Sequence, residues 1–272
     1  MRKTFAQVLK AGKIDLKNEY TKFYDLFYGK DSRDGRSMAD IVSDNFINLH
    51  FRGTCLSLEE FDRINGFNFQ EQPQDFDEEY LVSFMEYIYN LVAYINDWMY
   101  FSDINKSLYL NQIRLVVDKI GYMSICEEGL TSFVPRDCNA IAVAEQSDIP
   151  DDVSYRVLEY SHHSMKRNIE AKKDTLIKLA SILEAKRKNL EALDDKFTSD
   201  LFLLINSCNI RHNNKDESSG KYRKYIAEIE DDGLEKIYDE IYQMCLLAFM
   251  KLEHNERKAW LEDTKNNIVN TK

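Results

Sequence analysis

Hydrophobic side chains recur at intervals of three and four residues through most of this chain, which is the period of an amphipathic helix. The clearest run covers residues 77–99, where eight apolar side chains share one face and acidic residues occupy the first turn. Shorter runs of the same kind cover residues 16–27 and 108–120, each followed by a glycine. The pattern therefore predicts a chain dominated by helices.

The second half of the chain carries two long helical patterns. Isoleucine or leucine stands at residues 169, 176, 183 and 190, a spacing of seven that is typical of an internal bundle contact or of a dimer seam. Asp194 and Asp195 then predict a bend before the apolar run 197–205. A final helix is predicted from Gly233 to Glu262, because its apolar residues fall on one face.

Several shorter elements complete the predicted fold. Two apolar segments flank Glu127-Glu128-Gly129, which is the pattern of a small β-hairpin between residues 122 and 134. Short helices are predicted near residues 5–12 and 139–145, and another begins at Ser57, which serves as its N-cap. The predicted class is mainly α, a helical bundle with this one hairpin.

A polar segment at residues 146–152, which contains Pro150, is the best candidate for a domain boundary. It divides the chain into an acidic, helical N-terminal region with the hairpin, residues 1–150, and a helical bundle, residues 151–272. The two parts differ in charge. Residues 1–150 have 15 Lys and Arg against 24 Asp and Glu, a net charge of −9, whereas residues 151–272 have 21 against 23, a net charge of −2.

The amino-acid composition excludes several classes of function. Of the 272 residues, 44% are hydrophobic, which is enough for a packed core, and the five scattered cysteines contain no CxxC pair that would indicate a zinc site. No apolar run approaches the roughly 18–20 residues that span a bilayer, so we expect a cytoplasmic protein without membrane contact. The net charge of −11 argues against general coating of nucleic acid, and the acidic N-terminal half would suit a partner protein.

One polar stretch is not readily explained by packing. Residues 206–214 read N-S-C-N-I-R-H-N-N and directly follow the apolar run 201–205. Arg211 offers a fixed fork of donors for a phosphate, and His212 can exchange a proton near neutral pH. Carboxamides that could orient a nucleic-acid backbone lie beside them, at Asn206, Asn209, Asn213 and Asn214. The simpler interpretation is that these residues only cap a helix C-terminus, where Arg, His and Asn are favoured.

The placement of this motif, after one long helical element and before a loop and a last helix, resembles the HEPN superfamily over roughly residues 153–260. That resemblance implies a metal-independent endoribonuclease or toxin-like effector of bacterial anti-phage defence, of the abortive-infection type. It further implies RNA as substrate, a homodimer, no cofactor, and Arg211, His212 and Asn206 at the catalytic positions. In the family several residues usually separate the Arg from the His, whereas here the two are adjacent.

A second polar group consists of Tyr160, His162, His163 and Arg167. Tyr160 and His162 are candidate substrate-binding residues if they line a cleft, although a solvated helix face is the simpler interpretation. No array of His and Cys with metal-ligand spacing accompanies them, so no metal is expected. Two functions besides the nuclease stay open: a non-catalytic helical adaptor or sensor subunit of a defence complex, and a bundle that binds a small ligand or nucleotide without turnover.

Overall fold

The computed structural model describes residues 14–30, 35–69, 76–94 and 106–270. The chain forms two compact units, residues 1–135 and 136–272, so the division falls directly after the hairpin. The polar segment 146–152, predicted as the boundary, lies inside the C-terminal unit. The helix predicted near residues 5–12 lies outside the described residues.

The N-terminal unit contains five described helices and two strands. The helices are α1 (Leu16–Tyr28), α2 (Met38–Asn45), α3 (Leu58–Ile64), α4 (Glu78–Tyr94) and α5 (Lys106–Lys119), with a 3₁₀ turn at Phe46–Asn48 after α2. The strands are β1 (Tyr122–Glu127) and β2 (Leu130–Pro135). Ser37 and Ser57 cap α2 and α3 through their hydroxyls, as predicted for Ser57.

Helix α4 is the centre of this unit and packs against α1, α5 and β2. Its residues Leu81, Phe84 and Ile88 are completely buried, which agrees with the wide apolar stripe in the sequence. The hairpin turns through Glu128 and Gly129, both with positive φ, as a two-residue primed turn requires. Antiparallel pairing then places Ile125 opposite Ser132, and the predicted hairpin is confirmed.

The C-terminal unit contains six helices among the described residues 136–270. They are α6 (Cys138–Ala144), α7 (Asp151–Glu159), α8 (Ile169–Ala185), α9 (Arg187–Ser207), α10 (Lys224–Glu228) and α11 (Asp231–Asn270), with a 3₁₀ turn at His163–Met165. Helix α11 packs against α6, α8 and α9, and so it forms one side of the core along much of its length. It extends beyond both predicted ends, 233 and 262.

The seven-residue spacing of apolar residues crosses a break between two helices. Helix α8 ends at Ala185 and α9 begins at Arg187, and Asp194 interrupts α9 with non-helical angles (φ −160°, ψ 87°). Leu176, Leu183 and Leu190 are nevertheless fully buried in the core of this unit. In this chain the repeat thus marks an internal contact. The mainly α class is confirmed, and no helix in the described part of the chain is long and apolar enough to cross a membrane.

Candidate functional site

The predicted Arg–His motif lies in a loop that begins where α9 ends. Cys208 is the C-cap of that helix, and Asn209 follows with φ 61°, in the left-handed region. Asparagine tolerates this conformation better than most residues, so it can turn the chain away from the helix axis. Residues 209–214 therefore do not continue the helix, and Arg211 and His212 are not constrained to point about 100° apart as helical neighbours are.

A reciprocal pair of asparagines fixes the shape of the loop. The Asn209 N–H donates to Asn214 Oδ1 at 2.8 Å, and the Asn214 N–H donates to Asn209 Oδ1 at 3.2 Å. The Asn214 amide also donates to the Lys221 carbonyl at 2.6 Å, and Asn214 is buried. Both carboxamides were expected to contact substrate, but their oxygens instead accept hydrogen bonds from the protein backbone. Their role in this structure is to hold the loop.

Arg211 ties the loop to the end of α8. Its Nη1 lies 2.5 Å from Glu184 Oε2, and its Nη2 donates to the Ala180 carbonyl at 3.0 Å. The side chain is 24% exposed, so it is only partly open to a ligand. We expected Arg211 to offer a free fork of donors to a phosphate. Both terminal nitrogens are already engaged, which makes Arg211 a residue that positions the loop.

His212, next to Arg211, is in a different situation. Its imidazole is half-buried and makes no hydrogen bond or ion pair with any residue that the structure describes. Asn213 is exposed, and Asn206 lies half-buried in the last turn of α9. Of the two groups predicted to carry chemistry, only the imidazole is thus available for proton transfer.

The loop around His212 is basic although the chain as a whole is acidic. Residues 206–225 contain five Lys and Arg against two Asp and Glu, a net charge of +3. Lys221 and Arg223 are exposed, and the Tyr225 ring is 70% exposed. Besides the Arg211–Glu184 pair, this segment has two ion pairs in the described part of the chain, Lys215 with Asp231 at 3.7 Å and Lys224 with Glu228 at 3.6 Å, and both are weak because they lie at the surface. Exposed cations beside an exposed aromatic ring are the usual components of a surface that binds single-stranded nucleic acid.

The second predicted group, Tyr160 and His162, lines a cleft of about 300 Å³ in the same unit. Lys172 of α8 and Glu235 and Asp239 of α11 line the same cleft. His162 Nδ1 lies 2.7 Å from the Ser164 hydroxyl and accepts the Ser164 N–H at 3.3 Å, so this imidazole caps the 3₁₀ turn. The structure thus brings Tyr160 and His162 to one site, but the ring nitrogen of His162 serves the local fold.

Lys172 is the most constrained charge in this cleft. It is buried, and its Nζ lies 2.7 Å from both Glu235 Oε1 and Asp239 Oδ1. Burial opposes ionisation of Glu235, but hydrogen bonds from Lys172 and from the Arg167 N–H outweigh it and lower the Glu235 pKa. The Lys172 Nζ also lies 5.2 Å from the centre of the Tyr160 ring. This network fixes α8 against α11.

Sequence reasoning did not identify Lys172 or the partner of Arg211. A signal for Lys172 was present, because it stands four and seven residues before Leu176 and Leu179, on the buried face of α8. A lysine in an apolar stripe needs a buried counter-charge. For the Glu184–Arg211 pair no sequence signal exists, since the two residues meet only through tertiary structure.

Fold and site together define a mainly α protein with a basic, His-bearing loop and a separate polar cleft in its C-terminal unit. Comparisons of the chain with protein-family models, with curated proteins and with solved structures found no match. The resemblance to the HEPN superfamily therefore stays a prediction, which rests on the order of the helices and on the 206–214 motif.

Proposed function

We propose that the protein binds RNA through residues 206–225 and cleaves it as a metal-independent endoribonuclease, a toxin-like effector of anti-phage defence that acts in the cytoplasm. The observation that carries the proposal is the His212 imidazole, which has no partner among the described residues and lies on a hydrogen-bonded, basic loop of an otherwise acidic protein. The defence setting rests on the HEPN resemblance alone.

In this proposal His212 is the residue that moves a proton. The 2′-oxygen of the RNA attacks the adjacent phosphorus as it loses its proton, and the 5′-oxygen leaves as it gains one. One imidazole serves one of these two transfers, so we propose that a second copy of the chain supplies the other. Arg211 acts indirectly, because its bonds to Glu184 and Ala180 hold His212 in place.

Binding of the RNA is assigned to the exposed residues that follow His212. Lys221, Arg223 and Lys224 neutralise phosphates, and the exposed ring of Tyr225 stacks on a base. This arrangement favours single-stranded RNA, because bases must be unstacked to reach an aromatic ring.

Cleavage of a single-stranded RNA in EDTA tests the catalytic assignment. We expect His212→Ala to lower the cleavage rate at least about a hundredfold, the usual contribution of general acid–base catalysis, with unchanged thermal melting. His254→Ala is the matched control, because His254 is an exposed histidine on α11 of the same unit. Equal rates for the wild type and His212→Ala would refute the assignment.

The salt dependence of RNA binding tests the loop separately. A Lys221→Ala/Lys224→Ala double variant should weaken binding and reduce the slope of log K against log salt by about 1 to 2, one unit for each lost phosphate contact. Lys258→Ala, an exposed lysine on α11, should leave the slope unchanged. An unchanged slope in the double variant would exclude the loop as the RNA contact.

A non-catalytic adaptor or sensor is the second candidate, and the bonds of Arg211 favour it. A guanidinium already paired with Glu184 does not readily offset charge on a phosphate in the transition state. In that case RNA or a partner protein would bind without turnover, with the acidic N-terminal residues as a docking surface. Binding that depends on Lys221 and Lys224, with no cleavage at any protein concentration, would select the adaptor.

A further inference from the structure

We propose that Asn214 fixes the position of His212 relative to the cationic segment 221–225, so that the substrate is a single strand long enough to occupy both at once. This inference rests on the proposed function, because it concerns the same loop and the same RNA. It adds a requirement on the length of the substrate and a positioning residue. Asn214 is 1% exposed and therefore acts through its neighbours and not by contact with RNA.

Asn214 joins the two segments through four hydrogen bonds. On the side of His212, its Oδ1 accepts the Asn209 N–H at 2.8 Å, and its own N–H donates to Asn209 Oδ1 at 3.2 Å. On the cationic side, its Nδ2 donates to the Lys221 carbonyl at 2.6 Å, and its carbonyl accepts the Arg223 N–H at 2.9 Å. Because Asn214 is buried, water does not compete for these bonds.

The same bonds close the loop on which the imidazole lies. His212 stands between the bonded residues Asn209 and Asn214. The hydroxyl of Tyr238, which is fully buried on α11, donates to the Asn209 carbonyl at 3.4 Å and so attaches the loop to the core. Since the segment 221–225 is bonded to this closed loop, a strand held by its cations presents the same linkage to the imidazole each time.

The bonds of Asn214 set this spacing, and the length of the connection 215–220 does not. The connection turns back on itself, because Asp216 Oδ1 accepts the Ser218 N–H at 2.9 Å, and Asn214 bridges its two ends. A carboxamide supplies an acceptor and a donor on one carbon atom, which the Asn209 N–H and the Lys221 carbonyl require together. An aspartate at position 214 would keep the acceptor but would place an oxygen against the Lys221 carbonyl.

Amide hydrogen exchange of the full chain, measured by NMR without RNA, tests the coupling directly. In Asn214→Asp the Arg223 N–H should exchange at least about tenfold faster than in the wild type, while the Asn209 N–H keeps its protection. Asn209→Asp is the matched control, because Asn209 uses only its side-chain oxygen within the described part of the chain. It should leave exchange at Arg223 unchanged. Wild-type exchange at Arg223 in Asn214→Asp would overturn the proposal.

Cleavage of two RNAs in EDTA tests the consequence for the substrate. One is a dinucleotide, which reaches His212 without the segment 221–225, and the other is a single strand of about 12 nucleotides. The ratio of kcat/KM for the long strand to kcat/KM for the dinucleotide should fall about tenfold in Asn214→Asp. A general loss of fold would lower both values alike, so an unchanged ratio overturns the proposal.

A lengthened connection keeps the proposal testable even where Asn214→Asp does not fold. Insertion of two glycines between Glu217 and Ser218, both exposed, should leave the ratio and the Arg223 exchange rate at their wild-type values. A tenfold fall in the ratio would show that chain length sets the spacing and would overturn the role of Asn214. If the wild type cleaves neither RNA, the proposed nuclease is refuted, and exchange at Arg223 alone decides whether Asn214 holds the two segments together.

Discussion

At the scale of single residues, the role of a charged side chain depends on what lies opposite it. Arg211 and Lys172 are both basic residues of the C-terminal unit, and each is tied to carboxylates that only the fold brings near. In the sequence, a basic residue within a polar motif indicates a phosphate-binding site. In the structure, the guanidinium of Arg211 forms an ion pair with Glu184, and its role is therefore to hold the loop. The imidazole beside it, that of His212, has no hydrogen-bond or ion-pair partner in the described part of the chain.

Arg211→Ala is expected to destabilise the C-terminal unit by about 1–2 kcal/mol, because it removes two charge-assisted hydrogen bonds from a partly buried position. Urea unfolding, followed by circular dichroism, measures the free energy of unfolding. Arg223→Ala is the control, since among the described residues this exposed side chain bonds only to the neighbouring carbonyl at 3.5 Å, and it should change stability by less than about 0.5 kcal/mol. Loss of RNA cleavage in Arg211→Ala without loss of stability would instead make Arg211 a catalytic residue.

At the scale of elements, helix α9 shows how one residue joins local and tertiary structure. Asp194 interrupts the helix and caps the segment after it, because its Oδ1 accepts the Phe197 N–H at 3.1 Å. Its Oδ2 accepts a hydrogen bond from Lys251 Nζ of α11 at 2.7 Å. The bend at Asp194–Asp195 was predicted from sequence, whereas the bond to α11 was not.

Asp194→Ala should lower the melting temperature at pH 7 by several degrees, because both the cap and the ion pair are lost. The bonds from Lys251 and Phe197 lower the pKa of Asp194 from its ordinary 3.8, so this stabilisation is complete above that value and disappears as pH falls below it. Scanning calorimetry from pH 7 to pH 3 should show that the difference in melting temperature between Asp194→Ala and the wild type becomes smaller towards pH 3. Asp195→Ala, the exposed neighbour, is expected to melt like the wild type at every pH.

At the scale of the whole molecule, the described residues form two hydrophobic cores, one in each unit. A change inside one core should therefore alter the stability of that unit. A half-buried acid lies beside the N-terminal core, where Asp62 accepts a hydrogen bond from the Tyr87 hydroxyl among aromatic rings. Burial raises the Asp62 pKa to about 6, although the bond from Tyr87 opposes the shift.

A raised carboxyl pKa means that the folded N-terminal unit holds this proton more tightly than the unfolded chain does. The contribution of Asp62 to stability is thus complete below about pH 4 and is lost as pH rises through 6. Asp62→Asn should stabilise this unit at pH 7.5 by about 1 kcal/mol, after allowance for solvent screening, and by nothing at pH 4. Hydrogen exchange of the full chain measures each unit separately. The prediction fails if residues 136–270 gain the same protection as residues 14–94.

Most of the secondary structure follows from the sequence, because a helix or a hairpin is specified by residues close together in the chain. The wide stripe of α4, the Ser57 cap and the primed turn at Gly129 are examples of such local signals. The two units divide after Pro135, whereas the sequence predicts a boundary at 146–152. A polar segment with a proline has the same sequence pattern inside a unit as between two units, so the pattern does not locate the division.

The candidate site was predictable in composition but not in geometry. The 206–214 motif and the pair Tyr160 and His162 were recognised as unusual because polar residues interrupt apolar runs. The partner of Arg211, Glu184, lies 27 residues away in the chain. In the cleft that Tyr160 and His162 line, Lys172 bonds to Asp239, which lies 67 residues away. Periodicity carries no information on such pairs, so the engagement of Arg211 was not foreseen.

The amino-acid sequence by itself determined a mainly α chain with one hairpin, and it singled out the two polar groups to which the proposed function was first assigned. Side-chain period, capping and turn residues act over a few positions, and these are readable without a fold. Tertiary structure decided which charges are neutralised and which stay open, because burial and counter-charges arise only when distant helices pack together. It paired Arg211 with Glu184, left the His212 imidazole without a partner among the described residues, and placed Tyr160 and Asp239 in one cleft.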